Sequence, residues 1–299
     1  MKKLIASLLL TAAFAALPVL VLAQPSAHYV PGLEGLKGSS LPPPGVYMRD
    51  YNIFYFANRV NDSHGNEIKP ADPQAFVYAN APRLVWITET KFLGGFVGVD
   101  GLIPLKYTSL EANTPGGPID ESAFGIADLF AECTLSWHPK QFDLAVGYGI
   151  WAPTGDFSEF DPTLPGAGFW THMLTAAVTW YPDAQKKWAL SALSRYEFNH
   201  EQKDTDITRG QAYTLEWGLS YSPKPTIDVG LVGYWQIQTT EDSGGFASDE
   251  KDSVAGIGPE ISAVCPKLGV ITSLRYVYEF AAENRLQGHT VSLTLTKQF

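Results

Sequence analysis

Beyond Ala23 the chain has no run of 18 consecutive apolar residues, so nothing after that point is apolar enough to cross a bilayer as a helix. Positive charge is scarce as well. The sequence carries 21 lysines and arginines against 31 acidic residues, and setting Lys2 and Lys3 aside leaves 19 basic groups and a net charge of −12. That balance argues against nucleic acid or an anionic lipid surface as a partner, and it permits a lumen or loop set that handles cations or neutral molecules. The two cysteines, Cys133 and Cys265, fall on non-adjacent strands in the pattern below and are expected as unpaired, buried or lipid-facing thiols. No G-x-S-x-G motif occurs. The six histidines are scattered, with no two spaced as metal ligands. These absences leave no catalytic, metal or cofactor site to name, and the chain is read as a non-enzyme. Lipid-modifying chemistry would need a Ser or Tyr within hydrogen-bond reach of His172 or His289.

What is present begins with export. Lys2 and Lys3 open a basic start, residues 4–22 are an apolar run, and Val21-Leu22-Ala23 forms a small-residue cleavage site, so residues 1–23 read as a cleaved signal peptide. Residues 24–45 carry Pro25, Pro31, Pro42, Pro43 and Pro44 among glycines and cannot form regular structure. They are expected to lie in the periplasm and to lead into one large domain, residues 46–299.

That domain is organised by alternation. At the end of the chain Val291, Leu293, Leu295 and Phe299 share one face, and Thr290, Ser292, Thr294, Thr296 and Gln298 share the other. The pattern recurs upstream from Val46 and over residues 76–92, 96–107, 124–137, 142–152, 169–181, 187–198, 211–222, 227–238, 253–265 and 268–280. Connections after even-numbered strands are about 2–5 residues long, and those after odd-numbered strands mostly about 8–17, the short periplasmic turns and long extracellular loops of an outer-membrane barrel. The expected fold is therefore all-β: a transmembrane, antiparallel, up-and-down β-barrel of twelve strands in a Gram-negative outer membrane. Aromatics at strand ends, among them Trp137, Trp170, Trp180, Trp188, Tyr213 and Tyr221, suit the headgroup layer.

On this parity the strands turn a set of charged groups inward: Asp128, Glu132, Arg195, Glu197, Glu216, Glu260, Arg275 and Glu279. Twelve strands lie between the side-chain-filled eight-strand barrel and the open porins. The inward charges line a narrow transport path, or they pair with one another and fill it. The loop acids Asp156, Glu159, Asp161, Asp242, Asp249, Glu250 and Asp252 read as solvated, with cation bridging to lipopolysaccharide as the alternative.

Three motifs carry a resemblance. His28-Tyr29-Val30-Pro31-Gly32, continued by Gly38-Ser39-Ser40-Leu41-Pro42-Pro43-Pro44-Gly45-Val46-Tyr47, resembles the start of the outer-membrane transporter family labelled MetA-pathway of phenol degradation. Gly125-Ile126-Ala127-Asp128-Leu129 is similar to that family's Gly-x-Gly-Asp-Leu signature, with Ala127 in place of the second glycine, and Ala152-Pro153-Thr154-Gly155-Asp156-Phe157 resembles its Pro-Thr-Gly-Asp-aromatic loop. The resemblance implies an outer-membrane barrel for uptake of small hydrophobic or aromatic compounds. It brings no established site residues, and directs attention to Asp128 and the 153–157 turn. The terminal Phe299, closing an amphipathic strand, resembles the signal by which such barrels are handed to the barrel-assembly machinery. The implied partners are that machinery, outer-membrane lipid and lipopolysaccharide, and small hydrophobic or aromatic solutes. Passive uptake of those solutes is the expected function, and a structural or loop-binding barrel with a filled lumen is the alternative.

Overall fold

A computed structural model describes residues 26–114, 116–245 and 247–299; the expected signal peptide, residues 1–23, lies outside them. Twelve strands form the body: β1 Gly45–Val60, β2 Gln74–Phe92, β3 Gly95–Leu102 with Leu105–Thr114, β4 Gly117–Ile126 with Leu129–Trp137, β5 Phe142–Ala152 and β6 Thr171–Trp180. They continue as β7 Trp188–Asn199, β8 Ala212–Lys224, β9 Ile227–Gln238, β10 Ser253–Cys265, β11 Val270–Glu283 and β12 Leu286–Gln298. Each strand pairs antiparallel with its neighbours in sequence. β12 then returns to β1, paired from Tyr47↔Gln298 to Val60↔Leu286 with a one-residue bulge between Ala57 and Arg59, and closes the barrel. Closure gives wall N–H and C=O groups inter-strand partners at a depth where lipid offers none. The fold is the expected transmembrane twelve-strand barrel.

Alternation decides the faces. On β7 Ala189, Leu193, Arg195 and Glu197 are buried, while Trp188, Leu190 and Phe198 are exposed. β11 repeats this, with Arg275, Val277 and Glu279 inside and Leu274, Tyr276, Tyr278 and Phe280 outside. In water this much exposed apolar surface would drive association; in a bilayer it is the stabilising face. Cys133 and Cys265 are unpaired and exposed on that outer face.

Two expectations about the architecture change. The stretch around Pro115-Gly116-Gly117-Pro118 is not a long loop, because β3 runs on to Thr114 and β4 starts at Gly117, with Thr114 facing Gly117 in register. Leu110 and Ala112 of this hairpin bury against Ala57, Val60 and Ala75, and that packing overrides the turn-rich composition. The second change is larger. Residues 26–44 do not lie in the periplasm; they thread the barrel lumen. Ser26 sits at the loop end, where its N–H donates to Asp252 and its carbonyl accepts from Asn199. Ser40 lies at the turn end, bonded to Thr179 and Tyr181, and the chain enters β1 at Gly45. A segment without regular structure has free backbone N–H and C=O groups, and the inward-facing charges of the wall bind them.

Candidate functional site

The lumen can be followed from its loop end. β5 ends at Ala152, opposite Leu129, and the loop that follows is tied into the lumen at Gly155 and Ala167. Thr154 extends the pairing with its side chain, accepting the Leu129 N–H at 3.1 Å and donating to the Ala127 carbonyl at 3.3 Å. Gly155 passes so near Gly166 that a Cβ would stand 2.8 Å from its Cα, which is why a side chain is excluded there. Asp128, at the break in β4, accepts the N–H groups of Gly155 at 2.9 Å and Ala167 at 2.7 Å, and meets His28 Nε2 at 2.8 Å. The His28 ring stacks on Trp151 with centroids 5.5 Å apart, and its Nδ1 is 2.7 Å from Thr171 Oγ1. The two short motifs noted in the sequence thus form one junction joining the inward loop to the inserted segment. Beside it, Glu197 accepts the N–H groups of His28 at 3.1 Å and Tyr29 at 3.0 Å. Asp252 and Asp242 are internal partners too, to Ser26 and Arg285 and to Arg209 and Gly210 respectively, so neither is a solvated loop acid.

The centre of the lumen is built around Glu34 of the inserted segment, 4% exposed. Its carboxylate meets Arg49 Nη1 at 2.7 Å, Arg83 Nη1 at 2.8 Å and Arg195 Nη2 at 3.3 Å, and accepts the Tyr51 hydroxyl at 3.1 Å. Arg83 is engaged on every side of its fork, with Nε 2.8 Å from Asp100 and Nη2 3.0 Å from Glu132. Charge-assisted bonds of this kind are the strong class of hydrogen bond, and they satisfy groups that could not otherwise be held out of water. The Arg195 guanidinium lies 4.0 Å over the Tyr29 ring, whose hydroxyl donates to Glu216; the other Glu216 oxygen accepts the Glu34 N–H at 3.1 Å. Next to these charges the wall carries an apolar patch that includes Tyr51, Ile53, Leu102, Phe130, Trp151 and Met173, and Tyr29 and Leu33 of the segment cover it.

Towards the turn end, Gly35 has φ +72°, and a Cβ there would collide with the Glu260 carboxylate, which accepts the Leu36 N–H at 3.0 Å. Arg275 donates to the carbonyls of Gly32 and Leu33, and Lys37 pairs with Asp228 at 2.7 Å.

Of the inward charges expected from sequence, Asp128, Arg195, Glu197, Glu216, Glu260 and Arg275 all touch the segment. Glu132 stands one step behind, against Arg83 and the Thr175 hydroxyl. Glu279 makes no hydrogen bond or ion pair with it among the described residues and binds the Tyr55 and Tyr234 hydroxyls and the Gly288 N–H. Phe299 follows β12, with its N–H on the Val46 carbonyl and the residue 73% exposed. Sequence reading missed Arg49, Arg83, Asp100 and Glu34. Arg83 was findable: Leu84 and Trp86 are both outward, so the opposite parity of β2 carries a charge into the lumen.

On the outer face Tyr148 Oη lies 2.6 Å from His172 Nδ1, which supplies the tyrosine that lipid chemistry would require. The third member of such a constellation is missing: among the described residues the ring next to His172 is His200, with centroids 5.0 Å apart, and no carboxylate orients the imidazole. No group of three His, Cys, Asp or Glu among the described residues could hold a metal.

Comparison with solved structures gives a strong match to an outer membrane channel from Pseudomonas putida F1, with TM-score 0.77 and 15% identity over 91% of this chain and 100% of that one. The similarity falls to TM-score 0.47 for the β domain of the Bordetella autotransporter BrkA, 12% identical over 86% of this chain and 100% of that one. It is 0.48 for the transport unit of the Escherichia coli autotransporter AIDA-I, 10% identical over 86% of this chain and 91% of that one. No curated protein sequence matches the chain. A family model described as "Putative MetA-pathway of phenol degradation" matches residues 57–295, four-fifths of the sequence, and the chain belongs to that family.

Proposed function

We propose that the protein is an outer-membrane channel for passive uptake of small aromatic or hydrophobic compounds, closed in the described state by its own residues 26–44. One observation carries this reading. The polar lumen contains an apolar, aromatic wall patch around Tyr51, Phe130 and Trp151, and what covers it is Tyr29 and Leu33 of a segment that joins the wall at Gly45. The likeness to a channel of Pseudomonas putida F1 supports the same reading. Such compounds cross a lipopolysaccharide layer poorly, so a protein route has a physical purpose.

A second reading is a structural barrel with a permanently filled lumen, favoured by the contact of the segment with six of the inward charges from end to end of the pore. Permeation into proteoliposomes separates the two. The solutes are an aromatic carboxylate, ionised and slow to cross lipid unaided, and a sugar of similar mass, each corrected for leak through empty vesicles. Faster passage of the aromatic is the expected result. Equal passage would make the barrel a general pore, and passage of neither would leave the filled barrel.

A further inference from the structure

The cluster around Glu34 is more than a single ion pair. Three guanidiniums, from β1, β2 and β7, converge on one buried carboxylate. Asp100 and Glu132 already partner Arg83, but among the described residues Arg49 and Arg195 have no ion-pair partner except Glu34. Gathering like charges in a buried site is unfavourable for stability alone, and buried ion pairs are at best weak stabilisers. Arg195, 4% exposed, also leaves Nε and Nη1 without a protein acceptor. The same guanidinium carries the Tyr29 ring against its face at 4.0 Å, and the Tyr29 hydroxyl donates to Glu216. Around one arginine the inserted segment therefore presents an aromatic ring, a phenolic hydroxyl and a carboxylate, which together are the groups of a hydroxyaryl acid.

We infer that Arg49, Arg83 and Arg195 form a binding site for a small aromatic monocarboxylate, and that Glu34 and Tyr29 of the inserted segment occupy it in the closed lumen. The assignment rests on the channel reading and names the solute class of that same lumen. With Glu34 displaced, Arg83 keeps Asp100 and Glu132, while Arg49 and Arg195 are left without an ion-pair partner among the described residues, and an incoming carboxylate would supply one. Arginine is the side chain suited to a carboxylate here, because its planar fork binds both oxygens. The ring of the solute would lie on Arg195 and the aromatic wall, where Phe130 is 5.9 Å from Arg83 and Tyr51 is 5.0 Å from Arg49. A para-hydroxyl would take the place of the Tyr29 hydroxyl on Glu216. The overall charge of −12 favours cations or neutral solutes only in the far field; at this depth the local arginines decide.

The test is binding to the full barrel in detergent, with para-hydroxybenzoate as probe and para-hydroxybenzyl alcohol as its neutral match, on Glu34→Ala, Glu34→Gln and the wild type. Emptying the carboxylate position should let the acid bind at least about tenfold tighter than the alcohol, a preference of about 1.4 kcal/mol. The wild type should bind the acid more weakly, since Glu34 competes for the site. Adding Arg195→Met to Glu34→Ala should abolish the preference. Should the Glu34 variants fold poorly, a folded fraction recovered in para-hydroxybenzoate but not in the alcohol would equally support the site, and equal recovery in both would count against it. Equal binding of the two probes, no binding of either, or a preference that survives Arg195→Met would overturn the site. A barrel that binds the acid yet passes no solute loses the transport reading and keeps the site. One that conducts without preferring the acid keeps transport and loses the site.

Discussion

Arg83 and Arg195 both touch Glu34, and their replacement by methionine should nevertheless have different consequences. Methionine keeps most of the length and volume of arginine and removes the charge, so packing loss is small in both. Arg83→Met breaks three ion pairs of 2.8, 2.8 and 3.0 Å, and leaves Asp100 and Glu132, 8% and 4% exposed, without a direct ion-pair partner among the described residues. Orphaning buried carboxylates in this way costs about 3–5 kcal/mol. Arg195→Met gives up one bond of 3.3 Å and the stacking on Tyr29, while Glu34 keeps Arg49 and Arg83. It also removes two guanidinium nitrogens that lack a protein acceptor, which offsets part of the loss. The net cost should be about 1–2 kcal/mol. Urea unfolding of the barrel in lipid vesicles, followed by tryptophan fluorescence, reads the difference as a shift in midpoint at constant slope. The expected gap of about 2 kcal/mol is roughly a thirtyfold change in the folding equilibrium. Equal midpoints for the two variants, or a lower one for Arg195→Met, would refute Arg83 as the electrostatic anchor of the lumen.

Asp128→Ala should free both the inward loop and the head of the segment, because Gly155, Ala167 and His28 lose their common acceptor. Faster proteolytic cleavage within residues 153–168, with the barrel itself intact, is the expected outcome. Glu279→Gln should lower stability by about 1–2 kcal/mol through weaker bonds to Tyr55 and Tyr234 and leave permeation unchanged, since among the described residues that side chain makes no hydrogen bond or ion pair with the segment. Permeation rates measured beside unfolding midpoints would check both halves. Phe299→Ala should slow assembly into membranes in the presence of the assembly machinery while leaving the unfolding midpoint close to wild type, because the ring packs against little. A pulse-chase of heat-modifiable folded barrel would show it.

Much of this molecule is legible in its sequence. Period-two alternation puts Arg195, Glu197 and Glu216 on one face and Trp188, Leu190 and Trp217 on the other whatever the strands pair with, because successive side chains of a strand point to opposite sides. Turn residues at regular spacing marked nearly every strand end, and the exception, the hairpin around Pro115-Gly116-Gly117-Pro118, is sheet because Leu110 and Ala112 found a buried surface. These are local rules, and a barrel is a repetition of local rules closed once.

The inserted segment obeys none of them. Residues 26–44 have no period to read, and their place is set by bonds between positions far apart in the chain: Glu34 with Arg83 across 49 residues and with Arg195 across 161, and Leu36 with Glu260 across 224. The sequence by itself determined a twelve-strand barrel with an apolar outside and a charged inside. Only the tertiary structure decided that the charges face a segment of the same chain rather than open water. Alternation states which way a side chain points, but only the closed barrel determines what stands opposite it.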